Sequence, residues 1–190
     1  EAMEKLPRHI FVGETALDHM LYDVDQALSI DCGQTISKPY TVAWQSQLLG
    51  VKPFDTVLEV GTGSGSQTAI LCEMGARVFT VERHAPLFRK TKALLAEMRY
   101  SAKCYLGDSF NGLPEMRGFL FDRILVTCGA PGIPMGLMNM LKVGGIMVIP
   151  VGEGEQRMLR IYKDGESQDQ WRIEDLGDAY FVPMLEGRCF

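Results

Sequence analysis

From Asp55 onward the chain alternates short apolar, β-branched runs with longer segments of helical period. Residues 56–60, 77–81, 103–106, 121–126 and 145–150 predict strands. Between the first three lie two segments that predict helices, 67–74, with Gly75 as its C′ stop, and 85–98. Near residue 165, the runs 157–163 and 170–174 flank Asp164-Gly165-Glu166 and predict a hairpin. Strands separated by helices demand right-handed crossovers. The expected fold is therefore α/β: a mostly parallel central sheet flanked by helices, with a C-terminal antiparallel hairpin. Residues 1–190 are expected to form one domain: an N-terminal segment (1–50), a ligand-binding core (51–152) and the hairpin with its flank (153–190).

The first strand runs into a glycine turn, Val57-Leu58-Glu59-Val60-Gly61-Thr62-Gly63-Ser64-Gly65, and the second ends in Thr80-Val81-Glu82. Strand, glycine turn, helix and an acid closing the next strand are the parts of a nucleotide-type α/β half-domain. Ser66 stands where a dinucleotide fingerprint needs its third glycine. With Glu59 just ahead of the turn, the pattern fits S-adenosylmethionine better than NAD. Glycines 61, 63 and 65 let the backbone turn sharply and let a ligand lie against peptide groups. Glu82 is placed to accept hydrogen bonds from ribose hydroxyls, and Glu59 to complement the sulfonium and ammonium charges, directly or through water. Asp108, after the third strand, is placed to accept from an adenine amino group.

Composition narrows the setting. A net charge of −5 argues against a nucleic-acid groove, and no apolar run is long enough to span a bilayer. The five cysteines are scattered without a CxxC pair, and the three histidines have no ligand spacing. That favours a reducing cytoplasm over a disulfide framework or a metal site. Cys128 reads as a packing residue rather than a nucleophile, and His84 as the edge of the adenine pocket or a solvated residue. The eleven methionines read as core filling.

The first fifty residues carry a less regular signal. Residues 40–49 predict a helix stopped at Gly50, preceded by Gly33-Gln34-Thr35-Ile36-Ser37-Lys38-Pro39. Residue types favour a helix start there, with Ser37 as N-cap and Pro39 in the first turn. The alternative is a functional loop held by the scaffold.

These pieces together resemble the protein-L-isoaspartate (D-aspartate) O-methyltransferase family over nearly the whole length. The glycine turn alone indicates only a class I methyltransferase. The Gly33–Ser37 block is more specific, and Pro7-Arg8-His9-Ile10-Phe11-Val12, Tyr22-Asp23, Val81-Glu82-Arg83, Gly107-Asp108, Phe121-Asp122-Arg123-Ile124, Val148-Ile149-Pro150-Val151-Gly152 and Phe181-Val182-Pro183 extend it. The resemblance implies methylation, by S-adenosylmethionine, of the free α-carboxylate of isoaspartyl residues in damaged proteins and peptides. S-adenosylhomocysteine is the product, and the ester then closes to a succinimide that reopens partly to aspartate. It gives Ser37 the active-site role, with Thr35, Ile36, Val182 and Pro183 beside the substrate. Donor contacts are expected from Glu59, Gly61, Thr62, Gly63, Gly65, Glu82, Arg83, Asp108, Ser109 and Thr127. No metal, nucleic acid or membrane partner is expected, and a monomer is the expected state. The chain departs from the family pattern at Asp31-Cys32, at Ser109 and after Pro183, and a further helix is expected ahead of Glu1.

Overall fold

The computed structural model describes residues 1–12, 25–108, 113, 116 and 118–190. Nine strands occur among them: β1 (Leu28–Ser29), β2 (Thr35–Ile36), β3 (Thr56–Val60), β4 (Arg77–Glu82), β5 (Lys103–Leu106), β6 (Phe121–Val126), β7 (Leu141–Val151), β8 (Gln156–Lys163) and β9 (Trp171–Ala179). The α-helices are α1 (Pro39–Leu49), α2 (Ser66–Glu73), α3 (Ala85–Glu97) and α4 (Met135–Met140). Seven strands form one sheet in the order β5-β4-β3-β6-β7-β8-β9. Pairing is parallel from β5 to β7 and antiparallel in β7–β8 and β8–β9. This is the α/β sheet with a C-terminal antiparallel hairpin that the sequence pattern predicts.

The strand alternation sorts the core onto two faces. Leu58 and Val60 of β3 join Phe79, Ile124 and Met147 on one face. Val57 joins Leu49, Leu71, Val78 and Leu125 on the other, where α1 and α2 pack. Glu59 shares the parity of Val57 and is therefore fully buried on the α2 side. Met138, Met147 and Met158 are fully buried, as expected of core-filling methionines.

Several boundaries differ from expectation for identifiable reasons. β7 starts at Leu141 rather than Gly145, and β9 runs on to Ala179. Both are held there by neighbouring strands, which a local pattern does not reveal. Helix α4, absent from the sequence reading, is only six residues long and buries Leu137, Met138 and Met140. Gly75 (φ +86°) follows α2 as expected, whereas Arg99 (φ +63°) takes the left-handed position after α3 without being glycine. The N-cap of α1 is Lys38, not Ser37. Pro39 sits at the first helical position, and the Tyr40 amide donates to Asp25 Oδ1 at 2.8 Å. A carboxylate from a distant segment thus caps this helix, and Ser37 is released from that duty.

Lys163 fastens α4 to the sheet. Its ammonium is almost fully buried and donates to the carbonyls of Met138 (3.2 Å) and Leu141 (2.9 Å), with Glu166 alongside at 2.9 Å. Replacement by methionine keeps the bulk and removes both donated hydrogen bonds, leaving the Met138 carbonyl only the Leu141 amide. Lys163→Met should lower unfolding free energy by about 2 kcal/mol, read from urea denaturation. An unchanged midpoint would show that α4 is held by packing alone.

Candidate active site

A cleft of about 910 Å³, counted out to solvent, opens at the carboxyl ends of β3, β4, β5 and β6. The strand order reverses between β3 and β6, and crevices for ligands form at such a switch point. The glycine loop forms its floor. The Val81 carbonyl accepts from the amides of both Gly61 (2.9 Å) and Thr62 (3.1 Å). Thr62 Oγ1 meets Thr80 Oγ1 at 2.7 Å, and Thr91 Oγ1 donates to the Gly63 carbonyl at 2.6 Å. Gly61 (φ +96°) has no room for a side chain, because a Cβ would lie 2.5 Å from Thr127 Oγ1. That hydroxyl itself donates to the carbonyls of Val60 and Gly61.

Two acids face the cleft. Glu82, almost fully buried at the end of β4, accepts from the Gly63 amide at 2.9 Å through Oε2. Its Oε1 lies 2.9 Å from both the backbone nitrogen and Nδ1 of His84. Asp108 accepts from the Gly187 amide at 2.7 Å. Arg83 donates to the carbonyls of Gly187 (2.9 Å) and Glu186 (3.0 Å), so both residues fasten the 186–189 segment to the cleft.

The opposite wall comes from two other parts of the chain. β1 and β2 form a hairpin closed by a turn at Asp31–Gly33, in which Cys32 adopts φ +61°. It delivers Thr35, Ile36 and Ser37 to the cleft. The Ser37 carbonyl accepts from Arg8 at 3.1 Å, and among the described residues no hydrogen bond engages its hydroxyl. Val182 and Pro183 line the cleft beside them. Gln156 pins that strip by donating to the Phe181 carbonyl (3.0 Å) and accepting its amide (2.9 Å). Gly129 pairs with it on the other side, and a Cβ at Gly129 would lie 2.2 Å from Gln156 Nε2.

The cleft thus gathers Thr35, Ile36, Ser37, Gly61, Thr62, Gly63, Glu82, Arg83, Asp108, Thr127, Val182 and Pro183. Gly65 and Glu59 are outside its lining. Gly65 instead permits close approach of α2 to α3, since a Cβ there would lie 2.6 Å from Thr91. Ser109, like Tyr22 and Asp23, lies outside the described residues. Gln34, Ser64, Gln67, Cys128, Met184 and Leu185 also line the cleft without having been assigned to it from sequence, and His84 lines it rather than facing solvent. Gln67 lies two residues after the last glycine of the turn, which was the available signal. Met184 and Leu185 followed a matched motif but differed from it. Burial pushes the Cys128 thiol up to about 12, which suits packing rather than nucleophilic chemistry.

The sheet topology, the glycine loop and an acid closing the second strand of the crossover define a class I methyltransferase. Comparison with known proteins gives the family. The sequence profile of the protein-L-isoaspartate (D-aspartate) O-methyltransferases matches residues 1–188. The protein-L-isoaspartate O-methyltransferase of Flavobacterium psychrophilum is 49% identical over 189 residues, 99% of this chain and 86% of that one. Its counterpart in Cytophaga hutchinsonii is 47% identical over 186 residues, 97% of this chain and 81% of that one. A Plasmodium falciparum crystal structure, described as a protein-L-isoaspartate O-methyltransferase in complex with S-adenosyl-L-homocysteine, shares the fold. Its TM-score is 0.82 at 24% identity, covering 97% of this chain and 88% of that one. The chain belongs to the protein-L-isoaspartate (D-aspartate) O-methyltransferase family.

Glu59 has its own chemistry beneath the loop. Thr68 Oγ1 donates to Oε2, while Oε1 is buried without a partner among the described residues. Desolvation pushes the carboxyl up to about 7, against the stabilising hydrogen bond from Thr68. The folded chain therefore holds this proton more tightly than the unfolded one. Stability contributed by Glu59 is full below pH 4.5, falls as pH rises to about 7, and is level above that. The loss should total roughly 3 kcal/mol in wild type and be absent in Glu59→Gln. Urea midpoints of the two proteins at pH 5 and pH 8 check this, and parallel pH profiles would assign the proton elsewhere.

Proposed function

We propose that this chain uses S-adenosylmethionine to methylate the free α-carboxylate of L-isoaspartyl residues in damaged proteins and peptides. The observation that carries the reading is the convergence of the Thr35-Ile36-Ser37 hairpin strand and the Gly61–Gly63 loop on one cleft. S-adenosylmethionine, when bound, supplies an electrophilic methyl group on a sulfonium. The residues present fit such a donor. The left-handed glycines at 61 and 63 carry no side chain, so a ligand can lie against the backbone there, and the Glu82 carboxylate retains acceptor capacity on Oε2 for a ribose hydroxyl. Asp108 and Thr127 are proposed to border the adenosine, with Arg83 acting through the 186–187 carbonyls it holds. Glu59 is proposed to act from beneath the loop, through its charge rather than by contact.

The substrate carboxylate is already ionised at pH 7, so no general base is needed. The task left to the protein is placement. The Ser37 hydroxyl, unengaged among the described residues, is proposed to donate to that carboxylate and orient it. The strip at Val182-Pro183, fixed by Gln156, holds the peptide on the other side. Positioning of this kind is worth on the order of 7–11 kcal/mol in favourable systems. The ester product closes to succinimide without further help, which starts repair. The free thiols, including exposed Cys32 and Cys189, support a reducing compartment, and we place the protein in the cytoplasm. Among the described residues no helix is long and apolar enough to cross a membrane.

Labelled methyl should pass to an isoaspartyl peptide and not to its aspartyl twin. Equal labelling of both would end the substrate assignment. Ser37→Ala should cut turnover roughly 10- to 100-fold while leaving the dissociation constant for S-adenosylhomocysteine within about twofold. Parallel losses in both would remove Ser37 from substrate orientation.

A further inference from the structure

The junction between β4 and α3 contains a hydrogen-bond relay that the reaction as described does not use. His84 lines the cleft at only 8% exposure. Its Nδ1 lies 2.9 Å from Glu82 Oε1, and its backbone N–H donates to the same oxygen at 2.9 Å. Arg83 Nη1 lies 3.4 Å from the other ring nitrogen, Nε2. A guanidinium can only donate, so Nε2 is an acceptor and the ring proton sits on Nδ1, where it donates to Glu82. Arg83 is itself held by the Glu186 and Gly187 carbonyls, which fixes the direction from which it addresses the imidazole.

The consequence falls on Glu82. Among the described residues, its Oε1 receives two hydrogen bonds, both from His84, whereas Oε2 receives only the Gly63 amide. A carboxylate oxygen offers about two acceptor sites, so Oε1 is saturated and the remaining capacity sits on Oε2. Oε2 is also the oxygen already bonded to the glycine loop. A carboxylate free to rotate about its last bond would present either oxygen to a ligand. This one is held in a single orientation by two donors of His84 on Oε1 and the Gly63 amide on Oε2.

We infer that His84 is a positioning residue for donor binding. By donating from Nδ1 to Glu82, it locks the carboxylate so that the one remaining acceptor site, on Oε2, meets a ribose hydroxyl. The inference rests on the reading of Glu82 as the ribose-binding acid. It extends that reading to a residue whose side chain acts through Glu82 rather than on the donor.

Calorimetry on the full chain tests it with two ligands, S-adenosylhomocysteine and its 2′,3′-dideoxy analogue. His84→Phe keeps a ring and loses both ring nitrogens, and should weaken S-adenosylhomocysteine binding about tenfold. His84→Asn keeps a short side-chain donor and should remain within about threefold of wild type. The dideoxy analogue has no ribose hydroxyls, so it should bind wild type and His84→Phe equally. Equal weakening with both ligands would mean that the imidazole merely packs the wall, and no weakening with either would also overturn the relay. Glu82→Gln separates this failure from that of the underlying reading. If that variant binds S-adenosylhomocysteine like wild type, ribose recognition by Glu82 is wrong and the relay falls with it. If it loses affinity only for the ligand with hydroxyls, Glu82 stands and the His84 variants alone decide.

Discussion

The cleft depends on one junction, where the β3–β4 ladder ends and a single carbonyl, that of Val81, accepts the amides of Gly61 and Thr62. This shared acceptor turns the backbone away from the sheet while keeping it anchored to the next strand. The following amide, Gly63, then reaches Glu82, the last residue of that strand. Thr80 and Thr91 brace the turn from beneath. A loop so tied offers a ligand a fixed backbone surface without reorganising, which is what preorganised binding requires. Glycine at 61 is a consequence of the same crowding, since the Thr127 hydroxyl fills the space a side chain would take.

The parts of this architecture encoded locally were readable from sequence. Thr56–Val60 and Phe121–Val126 are mostly buried runs rich in β-branched residues, and their pairing follows from alternation with helices. Gly50, Gly75 and Pro39 mark helix ends because each backbone position suits few other residues. Parts decided by tertiary partners were not readable. Ser37 has every local attribute of an N-cap, yet Asp25 supplies the cap from another segment and leaves the serine in the cleft. Arg99 and Cys32 occupy left-handed positions that residue type does not advertise.

Glu59 shows the same limit at the site itself. Its neighbourhood to the glycine turn suggested that it complements a cationic ligand directly or through water, and strand parity directs it to the α2 face, outside the cleft lining. There it is a buried, half-satisfied acid joining β3 to α2. Leaving such a group half-satisfied in the interior costs stability. The Gly33–Ser37 block was more reliable because a hairpin strand delivers it as a unit, so neighbouring residues share one destination.

The fastening of residues 181–189 to the cleft carries a consequence for synthesis. Gly129 pairs with Val182 and Met184, Asp108 and Arg83 hold Gly187, and Cys189 closes onto Arg83 and Ala85. On a ribosome, the glycine loop and both acids emerge long before the strip that walls them in. A nascent chain ending near residue 160 has the floor of the cleft but lacks one wall, and these contacts of large sequence separation form late. Assembly order thus withholds a complete cleft until nearly all of these residues have been made.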